Sequence, residues 1–215
     1  MNIQSNTVTV ILKILLAAQI FLSASDLVIN IVAWYYFSWY DEHLYAFYGF
    51  ISSLSNLFYM ISIPLFLTWI YTVHKDVNRM FMNYPISPGT SIVGLFMPLF
   101  NFYFMPKIFL AMGSAFLGNG SARTEGRALR WLALPLLAVI LCSRFFNRQV
   151  SMSEAPELSL IVKAGVTVLA ANCIYMAITW LVSRGITRNT RRQISQEVAD
   201  IDTAAEQNNS VLTAP

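Results

Sequence analysis

The sequence is poor in charged residues and in cysteine. Charged residues make up 12% of the 215 residues and hydrophobic residues 56%, whereas soluble domains average about 25% charged residues. The two cysteines, Cys142 and Cys173, lie inside apolar stretches, which excludes an extracellular disulfide framework. The composition therefore excludes an ordinary water-soluble domain and predicts a chain that uses the lipid bilayer as its solvent.

The usual signatures of enzymes and of metal or nucleic-acid sites are absent as well. The sequence contains no glycine-rich phosphate loop, no His-Glu-x-x-His pattern and no Ser/His/Asp arrangement. Asp41, Glu42 and His43 are adjacent and cannot easily converge on one ion, so we expect a solvated acidic loop there. The net charge is only +3, and the basic residues lie beside apolar stretches. We therefore expect no enzyme, no cofactor, no metal and no nucleic-acid partner.

Four apolar stretches are long enough to cross a membrane, since a spanning helix needs about 20 mainly apolar residues. The predicted spans are residues 9–37, 44–71, 128–147 and 158–183. They make up a membrane domain of residues 9–184 that follows a short N-terminus, residues 1–8. The tail, residues 185–215, is polar and acidic and is predicted to be largely disordered, apart from a helical extension near Ile186 to Val198. The predicted fold is an all-α polytopic membrane helical bundle.

A fifth apolar segment, residues 91–116, differs from the other four because it contains Pro98, Asn101 and Pro106. Each proline removes a backbone donor and disfavours helix at the residue before it. Apolar runs of about 10–14 residues are more often re-entrant or interfacial than spanning. We predict a proline-broken hairpin or a helix that lies on the membrane surface.

The distribution of basic residues predicts the orientation, since cytoplasmic loops collect Lys and Arg. With four spans and a cytoplasmic N-terminus, every Lys and Arg except Arg144, Arg148 and Lys163 lies on the inner side. Both termini are then cytoplasmic. His74, Lys75 and Asp76 are expected at a wet, positive interface. The tryptophans are expected near helix ends, as an aromatic belt: Trp34, Trp39, Trp69, Trp131 and Trp180.

Polar residues recur on one face of the first and second predicted spans. On the first span they are Gln19, Ser23, Asp26 and Asn30, and on the second Ser52, Ser55, Asn56 and Tyr59. One hypothesis is a proton- or cation-linked carboxylate at Asp26, because a charge within the bilayer costs at least about 2.5–3.5 kcal/mol. The alternative is a polar stripe that holds helices together, with Asp26 protonated or capped by amides.

The stretch Gly94-Leu-Phe-Met-Pro98-Leu-Phe-Asn101-Phe-Tyr-Phe-Met-Pro106 carries a Pro-x-x-Asn then Pro signature. It is flanked by Trp69-Ile-Tyr71, by Ser87-Pro88-Gly89 and by the basic run from Arg184 to Gln193. Over roughly residues 50–195 the chain resembles a bacterial membrane family known as domain of unknown function 4328. The resemblance implies a multi-span protein of the bacterial plasma (inner) membrane. It implies no reaction.

Two functions stay open from the sequence. The favoured one is a non-enzymatic interaction protein, a scaffold or accessory subunit, whose partners are the lipid bilayer and other membrane proteins or further copies of itself. The alternative is a small transporter or channel-like component that binds a ligand or ion through Asp26, Asn30, Asn56 and Asn101. Asn101 itself has two interpretations, because its amide could either cap freed carbonyls or coordinate a ligand beside broken-helix ends.

Overall fold

The computed structural model describes residues 5–96, 98–118, 121–154 and 157–212, with side chains for all of these except 98–101 and 204–212. Within these ranges the chain is all-helical and forms seven helices. They are α1 (Ser5–Tyr35), α2 (Phe37–His43), α3 (Tyr45–Met80), α4 (Pro88–Phe96), α5 (Pro98–Gly118), α6 (Arg123–Met152) and α7 (Leu158–Leu212).

Four of these helices, α1, α3, α6 and α7, are long and apolar enough to cross a membrane. They correspond to the four predicted spans, and each helix is longer than the apolar stretch that predicted it. The predicted fold class, all-α with four long apolar helices, is therefore confirmed. Apolar side chains that face outward suit a lipid environment. Lipid tails are as apolar as these side chains, so contact between the two carries no cost.

One large apolar cluster joins most of the helices. α7 packs against α1 and α6, α6 packs against α5, α1 packs against α3, and α4 lies between α3 and α5. The largest fully buried side chains of the cluster include Trp69, Phe109 and Phe116. A second, smaller cluster of buried residues contains Leu22, Ile29 and Ile51. Packing is therefore concentrated in one part of the bundle.

Polar contacts bring three helix ends and the middle of α7 together on one side of the bundle. The Ser5 amide donates to the Asp76 carboxylate at 2.9 Å, which joins the start of α1 to the last turns of α3. Arg188 of α7 pairs with Glu125 at the start of α6 at 2.6 Å. We call this side the Glu125 end. The opposite side, where α1 ends, α2 lies and α3 begins, is the α2 end.

Small residues allow close contact at the Glu125 end. A Cβ added to Gly126 of α6 would lie 2.6 Å from the carbonyl oxygen of Gly113 in α5. A Cβ added to Gly185 of α7 would lie 2.5 Å from the ring of Phe116. Both distances are too short for a real side chain, so α5, α6 and α7 approach this closely only because these positions are glycines.

The fifth apolar segment forms two helices, because α4 ends at Phe96 and α5 begins at Pro98. Gly94 of α4 lies against the ring of Phe104 in α5, so the two helices fold back on each other. Pro98 occupies the first helical position, where its missing N–H costs nothing. Pro106 lies inside α5 and does not end it, so the chain is divided at Pro98 and not at Pro106. Whether this hairpin is re-entrant or interfacial stays a prediction.

The helix that contains the second predicted span is longer than the span itself. α3 continues to Met80, and His74 and Asp76 are fully buried, where the sequence predicted a wet interface. Trp69 is also fully buried, and its indole N–H donates to the Thr9 hydroxyl at 3.0 Å. It therefore belongs to the core and not to a headgroup belt. The reason is tertiary, since α1 covers the face of α3 that carries these residues.

The tail also differs from the prediction. α7 continues as a helix to Leu212, where residues 185–215 were predicted to be largely disordered. Its first part is held by packing, because Ile186, Asn189 and Thr190 are buried and the Gln193 amide donates to the Met80 carbonyl at 3.4 Å. Between Ile186 and Leu212 the sequence contains neither glycine nor proline, so nothing in the backbone interrupts the helix.

Candidate functional site

A cavity of about 340 Å³ lies between six of the helices. This volume is within the range of about 300–1,000 Å³ that small-molecule sites occupy. Its wall is mostly aliphatic and aromatic, and six lining residues carry polar groups. The polar members are Gln19, Tyr59, Ser62, Arg144, Asn172 and Tyr175, and the apolar members are Leu12, Leu16, Ile63, Phe66, Leu67, Leu95, Phe96, Phe102, Met105, Leu137 and Ile140.

Hydrogen bonds between helices fix several of the polar lining residues. The Gln19 amide of α1 donates to the Ser62 hydroxyl of α3 at 3.3 Å, and that hydroxyl donates to the Tyr59 carbonyl at 2.8 Å. One turn farther along the same face of α1, the Asn172 amide of α7 donates to the Ser23 hydroxyl at 2.9 Å. The polar face of α1 therefore contacts both α3 and α7, which holds three helices together around the cavity.

Arg144 of α6 supplies the positive charge of the cavity. Its guanidinium lies 4.7 Å from the centre of the Phe102 ring, over the ring face. The ion pairs of the described residues join Glu125 to Arg184 and Arg188, and Glu42 to His43, so none of them involves Arg144. No lining residue is acidic. The wall therefore carries a cation that has an aromatic neighbour but no carboxylate among the described side chains.

Asp26 does not line this cavity. Its carboxylate accepts a hydrogen bond from the Asn30 amide at 3.3 Å, and the same amide donates to the Asp26 carbonyl at 2.8 Å. Asp26 lies about 31 Å along α1 from Ser5 at 1.5 Å per residue, which places it towards the α2 end. The two predicted residues Asp26 and Asn30 are thus brought together, in one helix, by an amide that caps the carboxylate.

The remaining predicted site residues are not gathered around Asp26. Asn56 of α3 is exposed, so the second predicted polar stripe does not face α1 as a whole. Asn101 lies in the first turns of α5, but its side chain is outside the described residues, and so is that of Pro98. Tyr71 is 44% exposed, and it takes no part in the cavity.

Sequence reasoning missed the polar cluster at the Glu125 end. Glu125 is almost fully buried and pairs with Arg184 at 3.2 Å and with Arg188 at 2.6 Å. The Thr124 hydroxyl donates to the Glu125 carboxylate at 2.8 Å. A signal for it existed, because Glu125 is the only carboxylate residue between Asp76 and Glu154 and stands within a basic stretch.

Three further polar groups are buried at this end, and their burial was not foreseen. The Nδ1 atom of His74 lies 2.8 Å from the Ile70 carbonyl oxygen, and the His74 ring is 5.6 Å from that of Tyr84. His74 Nε2, one Asp76 carboxylate oxygen and the Tyr84 hydroxyl have no hydrogen-bond partner among the described residues. Across all the residues that the structure describes, no group of three or more His, Cys, Asp or Glu residues could hold a metal ion.

No protein-family model, curated protein or solved structure matches the chain. The resemblance to the family of unknown function 4328 therefore stays a prediction, and the site is described by its own geometry alone.

Proposed function

We propose that the chain is a multi-pass integral membrane protein that acts through non-covalent interactions, as a scaffold or accessory subunit. The proposal includes both termini on the cytoplasmic side of a bacterial plasma membrane. The four long apolar helices support the membrane assignment. The bacterial assignment depends on the sequence resemblance, and the orientation depends on the placement of basic residues.

The arrangement of the helix ends supports the proposed orientation. The start of α1, the end of α3, the start of α6 and the α7 extension meet at the Glu125 end through the Ser5–Asp76, Glu125–Arg188 and Gln193–Met80 contacts. An even number of crossings requires the N-terminus and the tail on the same side. The same end carries most of the Lys and Arg residues, as the positive-inside rule expects of the cytoplasmic face.

The single observation that carries the interaction function is an exposed apolar stripe on the α7 extension. Ile194, Val198 and Ile201 are 45%, 51% and 62% exposed. Their spacing of four and three residues places them on one helix face. At 1.5 Å per residue, α7 continues for about 36 Å beyond Arg188. A protruding helix with such a face is suited to binding a helix of another protein chain.

The state of Asp26 also favours interaction over transport. A carboxylate that serves ion or proton movement has to face a cavity or a water path. Asp26 lies outside the cavity lining and is capped by the Asn30 amide. The polar residues that do cross between helices, such as Asn172 to Ser23, join α7 to α1 by hydrogen bonds. Hydrogen bonds of this kind hold membrane helices together.

Site-directed cross-linking tests the proposal. Cys142 and Cys173 are first replaced by serine, since both are exposed. Val198→Cys then places a thiol on the stripe, and Gln196→Cys places one on the opposite face of α7 as a matched control. In native membranes we expect Val198→Cys to cross-link to a helix of another chain and Gln196→Cys to remain uncross-linked. If both thiols react with an aqueous maleimide but neither cross-links, the interaction function is wrong.

The second candidate, a small transporter or channel-like component, is favoured by the cavity. It would depend on the cavity residues and not on Asp26, because Asp26 lies elsewhere. Flux through proteoliposomes is the direct test. Transport would be favoured over the interaction function if a solute crosses faster in proteoliposomes than in protein-free liposomes. With the cavity filled by Ile140→Trp, the rate should fall back to that of the protein-free liposomes.

A further inference from the structure

The cavity and Arg144 together carry an inference that does not depend on the α7 stripe. We propose that the cavity binds a single-chain anionic amphiphile, a medium- to long-chain fatty acid, with its carboxylate at Arg144 and its acyl chain along the apolar wall. The site is assembled from six helices, so it is a feature of the folded bundle and not of one exposed surface.

The wall selects an acyl chain. The side chains away from Arg144 are aliphatic or aromatic, for example Leu12, Leu16 and Leu137. Such side chains accept a methylene group as readily as lipid tails do, since both surroundings are apolar. A polar solute of the same length would leave its hydrogen-bonding groups unpaired against these residues. An apolar chain therefore matches the larger part of the cavity.

The charge of the cavity selects an anionic head group. Arg144 is the cationic side chain of the lining, and a guanidinium binds an anion through charge-assisted hydrogen bonds. Its planar fork fits a carboxylate through two parallel hydrogen bonds. No lining residue supplies such a carboxylate, and the Phe102 ring occupies only one face of the guanidinium. A ligand carboxylate would complete the pairing.

Polar groups and apolar groups are separated along the cavity, as an amphiphile requires. Arg144 lies about 28 Å along α6 from Glu125 at 1.5 Å per residue, which places it towards the α2 end. On α1 the lining residues run from Leu12 and Leu16 to Gln19, so the polar residue is again the one farther from the Glu125 end. The head group is therefore placed towards the α2 end and the chain towards the Glu125 end.

The volume suits a ligand with one chain. A water-sized group takes about 30 Å³, so about 340 Å³ holds roughly a dozen such groups. That is enough for one acyl chain of moderate length, and the second chain of a phospholipid would lie outside the cavity. We therefore commit to a free fatty acid and treat an anionic phospholipid as an alternative that the experiment must distinguish.

The test uses the full-length protein in nanodiscs of zwitterionic phosphatidylcholine, with radiolabelled dodecanoate as the ligand. We expect saturable binding with one dodecanoate per chain. Arg144→Gln should weaken binding by about 10- to 100-fold, the range for a lost charged hydrogen bond. Arg148→Gln, one turn farther along α6 and outside the lining, should leave binding unchanged. Dodecanol, which has the same chain and no charge, should bind about 10- to 100-fold more weakly than dodecanoate.

A second pair of variants tests the position of the chain. Ile140→Trp fills the cavity and should weaken dodecanoate binding at least tenfold. Leu141→Trp, at a neighbouring position that is 46% exposed, should not. If Arg144→Gln fails to fold, dodecanoate and dodecanol on the unaltered protein still decide whether the charge is recognised.

Four results would overturn the proposal. The first three are the absence of saturable dodecanoate binding, equal binding of dodecanol, and unchanged binding in Arg144→Gln. The fourth is that phosphatidylglycerol, added to the nanodiscs, occupies the cavity and prevents dodecanoate from binding. None of them bears on the cross-linking of Val198→Cys, so the amphiphile site and the interaction function can fail separately.

Discussion

The two ends of the bundle use their polar residues differently. At the Glu125 end, polar side chains join different helices: Asp76 accepts from Ser5, and Glu125 pairs with Arg184 and Arg188. At the α2 end, Asp26 is bonded to Asn30 of its own helix. Apolar packing follows the same division, because the large buried cluster extends to the Glu125 end, and the three-residue cluster of Leu22, Ile29 and Ile51 lies towards the α2 end.

This difference shows where the bundle holds its tertiary structure. Lipid gives helices no hydrophobic reason to associate, so packing and hydrogen bonds between helices have to hold them together. Those contacts are dense at the Glu125 end and sparse at the α2 end. We infer that the Glu125 end anchors the helices. The less densely packed part leaves room for the cavity beside Gln19 and Arg144.

Removing the central charge of the Glu125 end should have the largest effect. Glu125→Gln deletes the partner of two arginines, and hydrogen bonds to charged groups contribute about 1.5–3 kcal/mol each. We expect the free energy of unfolding to fall by about 2–3 kcal/mol, because the half-exposed arginines regain some solvation. Denaturant unfolding of the purified protein in detergent measures this. Glu42→Gln at the α2 end is the control and should change stability by less than about 0.5 kcal/mol.

A methyl group placed between α5 and α6 should have the next largest effect. In Gly126→Ala the new Cβ would lie 2.6 Å from the Gly113 carbonyl oxygen, so the helices have to separate, at a cost of about 1–3 kcal/mol. At the α2 end, a Cβ on Gly49 meets nothing within 4 Å. Gly49→Ala should therefore stabilise α3 by up to about 1 kcal/mol. Equal effects of the two substitutions on the unfolding midpoint would contradict the comparison of the two ends.

Asp26→Asn should change little. The substitution keeps the size of the side chain, and the partner of the carboxylate lies in the same helix, so we expect a change in the free energy of unfolding below about 1 kcal/mol. Cross-linking of Val198→Cys should also be unaffected. Loss of solute flux in a folded Asp26→Asn protein would instead support the hypothesis that Asp26 is a proton- or cation-linked carboxylate.

The smallest effect at neutral pH is expected at Tyr84, between α3 and α4. Its hydroxyl has no hydrogen-bond partner among the described residues, so Tyr84→Phe should change the free energy of unfolding by less than about 0.5 kcal/mol. Burial raises the pKa of the Tyr84 phenol above its ordinary value of 10.0.

The sign of the pH effect at Tyr84 follows from this shift. Below pH 10 the phenol is neutral in both the folded and the unfolded chain. Above that pH the unfolded chain ionises first, so stability falls as pH rises. Stability curves measured up to pH about 11 should therefore decline less steeply for Tyr84→Phe than for the unaltered protein. Parallel curves for the two proteins would show that Tyr84 does not contribute to the loss of stability at high pH.

Hydropathy and proline placement predicted the elements that depend on local sequence. The four long helices follow from apolar length alone, and the division of the fifth segment at Pro98 follows from the missing backbone donor. Pro106 shows the limit of that argument, because α5 continues through it. A proline removes one hydrogen bond, and neighbouring helices decide whether the helix survives the loss.

The site could be predicted only in part, because periodicity gives the polar face of a helix but not the neighbour of that face. The stripe on α1 was predicted, as one alternative, to hold helices together, and Gln19 bonds Ser62 of α3. Ser23, however, meets Asn172 of α7, and Asn56 faces outward. The four-span topology placed Arg144 on the outer side of the membrane, which says nothing of its neighbours. Its place in a cavity wall depends on the positions of five other helices, which no single helix reveals.

The unbroken length of α7 has a mechanical consequence. Asn172 and Tyr175, which line the cavity, and the exposed residues Ile194, Val198 and Ile201 belong to this one helix. Gly185, the glycine between them, lies against the Phe116 ring and does not interrupt the helix. A partner that rotates the outer part about the helix axis would therefore also rotate the residues at the cavity.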